Sequence, residues 1–152
     1  GVGYVFIEDG TCSADVNSIE GLQRFDLGML SRMLSAFRSK GLRSIVHNCA
    51  NNPYLDGYPG MEIDALHFTP KAEERKGLYD RFRAEMTVIG GIDQTVLLFK
   101  GSPEDVAKEV RGMMADWGEG PGYMVAPGCE MPFKTPIENI IALREAVAKV
   151  RP

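Results

Sequence analysis

Ile45-Val46-His47-Asn48-Cys49 is a short apolar run that ends in a histidine and a cysteine one residue apart. The run reads as the end of a strand. In extended chain, residues i and i+2 point the same way, so His47 and Cys49 can face one metal ion from one strand end. A comparable stretch lies far downstream, where Tyr123-Met124-Val125-Ala126 leads into Pro127-Gly128-Cys129-Glu130. One His and two Cys, each just past an apolar run, form a three-ligand set suited to zinc. Three ligands leave a fourth position open, which is the pattern of a catalytic zinc. Local structural zinc motifs carry Cys-x-x-Cys pairs, and the sequence has none. On spacing alone a second reading stands beside this one: His47 as a strand-end hydrogen bonder and the cysteines as small core fillers.

Working outward, the same alternation of apolar strand and amphipathic helix runs along the chain. Strands are expected at about residues 4–8, 44–47, 63–68, 86–89 and 123–126. Helices are expected at about 20–40, 71–83, from Ser102 to about 117, and from Thr135 to about 149. In the first helix, Leu22, Phe25, Met29, Leu30, Met33, Leu34 and Phe37 recur at the spacing of one helical face, and Gly41 suits its left-handed C-terminal turn. Ser102-Pro103-Glu104-Asp105 reads as a capped helix start, with Val106, Val110, Met113, Met114 and Trp117 as the inner face. Thr135-Pro136-Ile137-Glu138 has the form of a capping box. Strand–helix alternation with short connections implies an α/β fold with parallel strands. Polar residues close every expected strand: Glu8-Asp9, His47-Asn48-Cys49, His67 and Thr69, Asp93, and Cys129. In a barrel those ends converge on one mouth, which favours part of a (β/α)₈ barrel over an open sheet.

Bulk properties narrow the classes. The 152 residues, 44% hydrophobic and 25% charged, suit a single domain over 1–152. A formal charge of -4 with scattered Lys and Arg argues against nucleic acid. No apolar stretch approaches the roughly 18 residues of a membrane span. Three cysteines outside any disulfide-dense pattern point to a reducing, cytoplasmic setting. Gly1 leads almost directly into an apolar strand, so an earlier part of a larger protein is expected.

The other polar residues have two readings each. Asp9 and Asp93 are candidate substrate-binding residues at strand ends, with Asx turns as the alternative. Cys12 fits a partly buried thiol better than a fourth ligand. His67 fits a wall of the site better than a ligand. Gly90-Gly91 permits close backbone approach or a simple turn. Glu130 is either a neighbour of the metal ligands or a solvated loop acid.

The motifs, taken in order, carry a resemblance. His47-Asn48-Cys49-Ala50-Asn51, Gly90-Gly91-Ile92-Asp93, Lys100-Gly101-Ser102-Pro103-Glu104-Asp105-Val106, and Pro127-Gly128-Cys129-Glu130-Met131-Pro132 followed by Thr135-Pro136-Ile137-Glu138-Asn139 resemble the uroporphyrinogen decarboxylase superfamily. Within it they look most like the zinc-dependent branch, the methylcobalamin:coenzyme M and related corrinoid-linked methyltransferases. Asp9-Gly10-Thr11 and the helix after it share the likeness. The resemblance implies the C-terminal half of a (β/α)₈ barrel. It also implies zinc on His47, Cys49 and Cys129, and a methylcorrinoid donor carried by a separate corrinoid protein. The acceptor is a thiol or tetrahydrofolate. Zinc chemistry would hold a thiol acceptor as the thiolate that attacks the methyl group, leaving the corrinoid reduced.

Decarboxylases of the superfamily are metal-free and carry His in place of Cys129, so Cys129 points to the methyltransferase branch. Some relatives add a Glu ligand after the next strand. The matching place here is near Thr69, which leaves water, Glu62 or substrate for the fourth position. The Asn48-Cys49-Ala50-Asn51 form also differs from the Ile-Cys-Gly form common in the coenzyme M enzymes, which keeps tetrahydrofolate open. Two other functions are carried alongside: a metal-free decarboxylase-like enzyme, and a non-catalytic half-barrel that pairs with an N-terminal half or with a second copy.

Overall fold

A computed structural model describes residues 1–150. Five strands follow one another in chain order through a single sheet: β1 (Tyr4–Glu8), β2 (Arg43–Asn48), β3 (Ala65–Phe68), β4 (Thr87–Ile92) and β5 (Tyr123–Pro127). Helices lie between and after them: α1 (Ile19–Gly21), α2 (Leu27–Arg38), α3 (Arg75–Phe82), α4 (Pro103–Trp117) and α5 (Ile137–Val150). β1 pairs with β2 and β4 with β5 in parallel. A parallel sheet whose order equals chain order is the order of a barrel segment, since doubly wound sheets reverse direction partway. The expected α/β class and the part-barrel reading are therefore borne out. Among the described residues no helix is long and apolar enough to cross a membrane. Two compact units divide the chain: residues 1–67 with 85–87, and residues 68–84 with 88 onward.

In the first unit, the register sets Glu8 opposite His47, so two polar strand ends finish level with each other. Val46 and Leu66 are fully buried beneath them. The helical stretch after β1 departs from the expected continuous helix. Ser18 caps α1 by accepting from Gly21. Leu22–Asp26 then forms a π-helical turn before α2 begins. A wider turn shifts the phase of every later residue. Leu22, Leu30 and Leu34 are buried, but Phe25, Met29 and Met33 are exposed, so the apolar stripe is broader than the face that packs. Gly41 ends the segment at φ +74°, as expected of a left-handed terminus.

In the second unit, the inner face of α4 is as expected: Val106, Val110, Met113, Met114 and Trp117 are all buried. Ser102 accepts from the Asp105 N–H while the Asp105 side chain accepts from the Ser102 N–H, a complete capping box. Thr135 does otherwise. Its hydroxyl donates to the Pro132 carbonyl, closing the turn in front of α5 rather than forming the expected box. Asn139 is buried and donates from Nδ2 to the carbonyls of Leu98 and Gly101, which ties α5 to the loop that opens α4. Arg75, also buried, holds Glu109 and Asp116 of α4.

β4 runs to Ile92 rather than ending at residue 89. Gly90 and Gly91 are strand residues opposite Val125 and Ala126, not a turn. A Cβ at Gly91 would fall 2.2 Å from the Phe68 carbonyl oxygen. Close backbone approach therefore explains the glycine pair.

Candidate metal centre

His47 is the penultimate residue of β2 and is 5% exposed. Its ring lies 4.6 Å from that of His67 and 5.6 Å from that of Phe6, centroid to centroid. Three neighbouring strands supply this stack, because alternate residues of adjacent parallel strands share a face. His67 is thus a ring neighbour of both His47 and Phe6. His47 Nδ1 is buried with no hydrogen-bond partner, whereas buried polar atoms ordinarily have one. One ring nitrogen of His47 and the Cys49 sulfur lie within 4.8 Å of each other. Cys49 is exposed.

Around this pair the loops are tightly bonded. Asn48, 1% exposed, donates from Nδ2 to the Cys12 carbonyl and to the Tyr58 hydroxyl, and its Oδ1 accepts from the Ala50 N–H. The Tyr58 hydroxyl donates to Asp9, whose N–H donates to the His47 carbonyl. Asp15 accepts from the N–H groups of Asn51 and Asn52 and from the Asn52 and Ser13 side chains. Sequence reading passed over Asn48, Tyr58 and Asp15 as site residues, since no local pattern links residues so far apart.

Asp9 is buried at the end of β1, where a cavity of about 380 Å³ opens. Glu8, Thr11, Asp26, Phe25 and Met29 are among its lining residues. Burial, with the nearby Asp26 charge second, pushes the Asp9 carboxyl up to about 6. Thr11 donates to Asp26 at 2.6 Å. Cys12 is fully buried and donates to the Tyr54 carbonyl. Burial raises its thiol to about 11, and Cys12 is not among the residues grouped about His47 and Cys49. Glu62 pairs with Arg38 and precedes β3, at the opposite strand end from His47. It is therefore out of reach as a fourth ligand.

Cys129 belongs to the second unit, two residues beyond β5. The Gly128 N–H donates to the Ile92 carbonyl, which carries the β4 pairing past the strand end. A Cβ at Gly128 would lie 1.7 Å from the Thr69 hydroxyl oxygen, so any side chain there would force Thr69 to shift. Asp93 uses its Oδ1 to accept from the N–H groups of Thr95 and Val96. That is an Asx-type turn, with Oδ2 left over for other partners. Glu130 is exposed.

An imidazole and a thiol side by side suit a borderline-soft cation. A buried imidazole with an unpartnered nitrogen, on a ring next to a thiol, fits the same group.

Comparison with known proteins gives a consistent result. The family model for uroporphyrinogen decarboxylase (URO-D) matches residues 1–150. The chain is 25% identical over 146 residues to the methylcobamide:CoM methyltransferase of Methanosarcina acetivorans, covering 92% of this chain and 40% of that protein. It is 29% identical over 133 residues to the uroporphyrinogen decarboxylase of Anaeromyxobacter dehalogenans, covering 84% of this chain and 36% of that protein. A solved methyltransferase from Methanosarcina mazei superposes with a TM-score of 0.84 at 22% identity, covering all of this chain and 43% of its own. The chain thus spans about two fifths of the length of these relatives. Its fold, its ordered motifs and the match along 1–150 lead to one conclusion: this chain belongs to the uroporphyrinogen decarboxylase family.

Proposed function

We propose that the chain is part of a zinc-dependent methyltransferase that moves a methyl group from a methylated corrinoid protein to a thiol or tetrahydrofolate acceptor. The observation that carries this reading is His47, whose buried Nδ1 lacks a hydrogen-bond partner and whose ring has a nitrogen within 4.8 Å of the Cys49 sulfur. A buried, unsatisfied nitrogen costs about 1–3 kcal/mol, and ligation in this corner of the fold relieves such a cost. His47 and Cys49 bind from the end of β2, and Cys129 binds from beyond β5. Zinc, when bound, lowers the pKa of a coordinated thiol and favours its thiolate. The protein's own residues orient the set: Phe6 and His67 hold the plane of the His47 ring. The exposed Cys49 side leaves room for an acceptor. The relative named for methylcobamide and CoM supports a corrinoid donor, which arrives on a separate protein. The remainder of the barrel comes from additional polypeptide or from a second copy.

A metal-free, decarboxylase-like enzyme is the second reading, favoured by the likeness to the Anaeromyxobacter protein. Metal analysis of the purified wild type beside His47→Ala and Cys129→Ser separates the two. Stoichiometric zinc in the wild type and a reduced zinc content in both variants is expected. Equal zinc in all three contradicts the ligand assignment, and no metal in any of them favours the decarboxylase. Methylcobalamin offered with a thiol or with tetrahydrofolate, followed by the colour change of the corrinoid, identifies the acceptor.

A further inference from the structure

The residues on either side of Cys49 are held by side-chain hydrogen bonds. On its N-terminal side Asn48 is anchored through Nδ2 to the Cys12 carbonyl at 2.9 Å and to the Tyr58 hydroxyl at 2.8 Å. On its C-terminal side three successive backbone N–H groups are taken by side-chain oxygens. Ala50 donates to Asn48 Oδ1 at 3.1 Å; Asn51 and Asn52 donate to Asp15 Oδ2 at 3.0 and 3.1 Å. Asp15 Oδ1 accepts from Asn52 Nδ2 at 2.6 Å. The Ala14 N–H donates to the Asn52 carbonyl, the Tyr54 N–H to the Cys12 carbonyl, and Ser13 bridges to Pro53. The loop after β1 thereby grips the loop after β2.

Most of these bonds are between backbone groups or come from a buried residue, and so belong to the fold. Asp15 differs. It is exposed and lies outside the apolar core, yet a single carboxylate gathers four donors, three of them from Asn51 and Asn52. Those bonds hold the Asp15 carboxyl below the usual carboxylate range, the Asn52 side chain contributing most. An exposed side chain with so many partners in one loop fixes the shape of that loop rather than the packing of the core.

We infer that Asp15 is a positioning residue for Cys49: by closing the Asn51–Asn52 turn, it holds the Cys49 sulfur beside His47 in the arrangement that a metal ion needs. This rests on the zinc reading above. Groups that orient metal ligands from outside the ligand shell typically contribute about 10–100-fold to metal affinity.

The test measures zinc dissociation constants by chelator competition for the purified wild type, Asp15→Ala, and the exchange variant Asp15→Asn with Asn52→Asp. The exchange restores a donor opposite an acceptor with the roles reversed. Thermal unfolding of the three metal-free proteins is recorded alongside. Asp15→Ala is expected to bind zinc about 10–100-fold more weakly while melting close to the wild type, and the exchange variant is expected to recover most of the affinity. Affinity unchanged in Asp15→Ala overturns the inference and leaves the zinc reading standing. Loss of affinity matched by an equal loss of stability, with no recovery in the exchange variant, also overturns it, since the role is then structural. A wild type that binds no zinc overturns the zinc reading itself, and this inference with it.

Discussion

An imidazole nitrogen buried without a hydrogen-bond partner destabilises a fold, and His47 carries one near the end of β2. Nearby Asp9 is the opposite case, a carboxyl with several partners that is still strained by burial. Its value rises from 3.8 to about 6 in the fold. The folded protein therefore holds this proton to higher pH than the unfolded chain does. The associated stability is complete below about pH 4 and is lost as pH rises through about 6. Asp9→Asn keeps an acceptor for Tyr58 but has no charge to bury. Thermal unfolding should find it close to the wild type near pH 4 and the more stable of the two near pH 8. The reverse order would mean that the ionised Asp9 is held by interactions stronger than its desolvation. Legibility in the sequence varies sharply at this scale. His47 and Cys49 could be read because their geometry is local, two residues along one strand. Asn48 and Asp15 could not, because their partners lie 36 or 37 residues away for Asp15 and as far as 36 for Asn48.

Elements were legible where their signals are carried by neighbours in the chain. The Ser102–Asp105 box and the buried face of α4 follow from spacing alone. Ser102→Ala should cost roughly 1 kcal/mol at neutral pH, as N-cap losses typically do. Because the Ser102 bonds lower the Asp105 pKa, part of that stability is present above the ordinary carboxyl range and disappears as pH falls below about 3.8. The difference between wild type and Ser102→Ala in urea unfolding should therefore shrink in acid. A constant difference would assign the cap to the backbone bond alone. Where tertiary contacts decide, local signals failed. The π-helical turn at Leu22–Asp26 rephases α2 and leaves Phe25 and Met29 exposed. β4 continues through Gly90-Gly91 because the Phe68 backbone passes too close for any side chain at Gly91. Thr135 turns back to Pro132. The Thr135 departure alone is local, because a carbonyl three residues back takes the hydroxyl.

At the scale of the molecule, strand–helix alternation and polar strand ends were enough to reach a barrel segment, and the chain-ordered parallel sheet agrees. The relatives are more than twice as long, so the chain accounts for only part of any barrel they form. His47 and Cys49 belong to the first compact unit and Cys129 to the second. The zinc ion we propose takes His47, Cys49 and Cys129 together as its ligands. X-ray absorption at the zinc edge, on the purified wild type and on Cys129→Ser, tests this assignment most directly. Two sulfur scatterers at about 2.3 Å and one nitrogen at about 2.0 Å are expected in the wild type, with one sulfur lost in Cys129→Ser. A wild-type spectrum with no sulfur, or one that Cys129→Ser leaves unchanged, would contradict it.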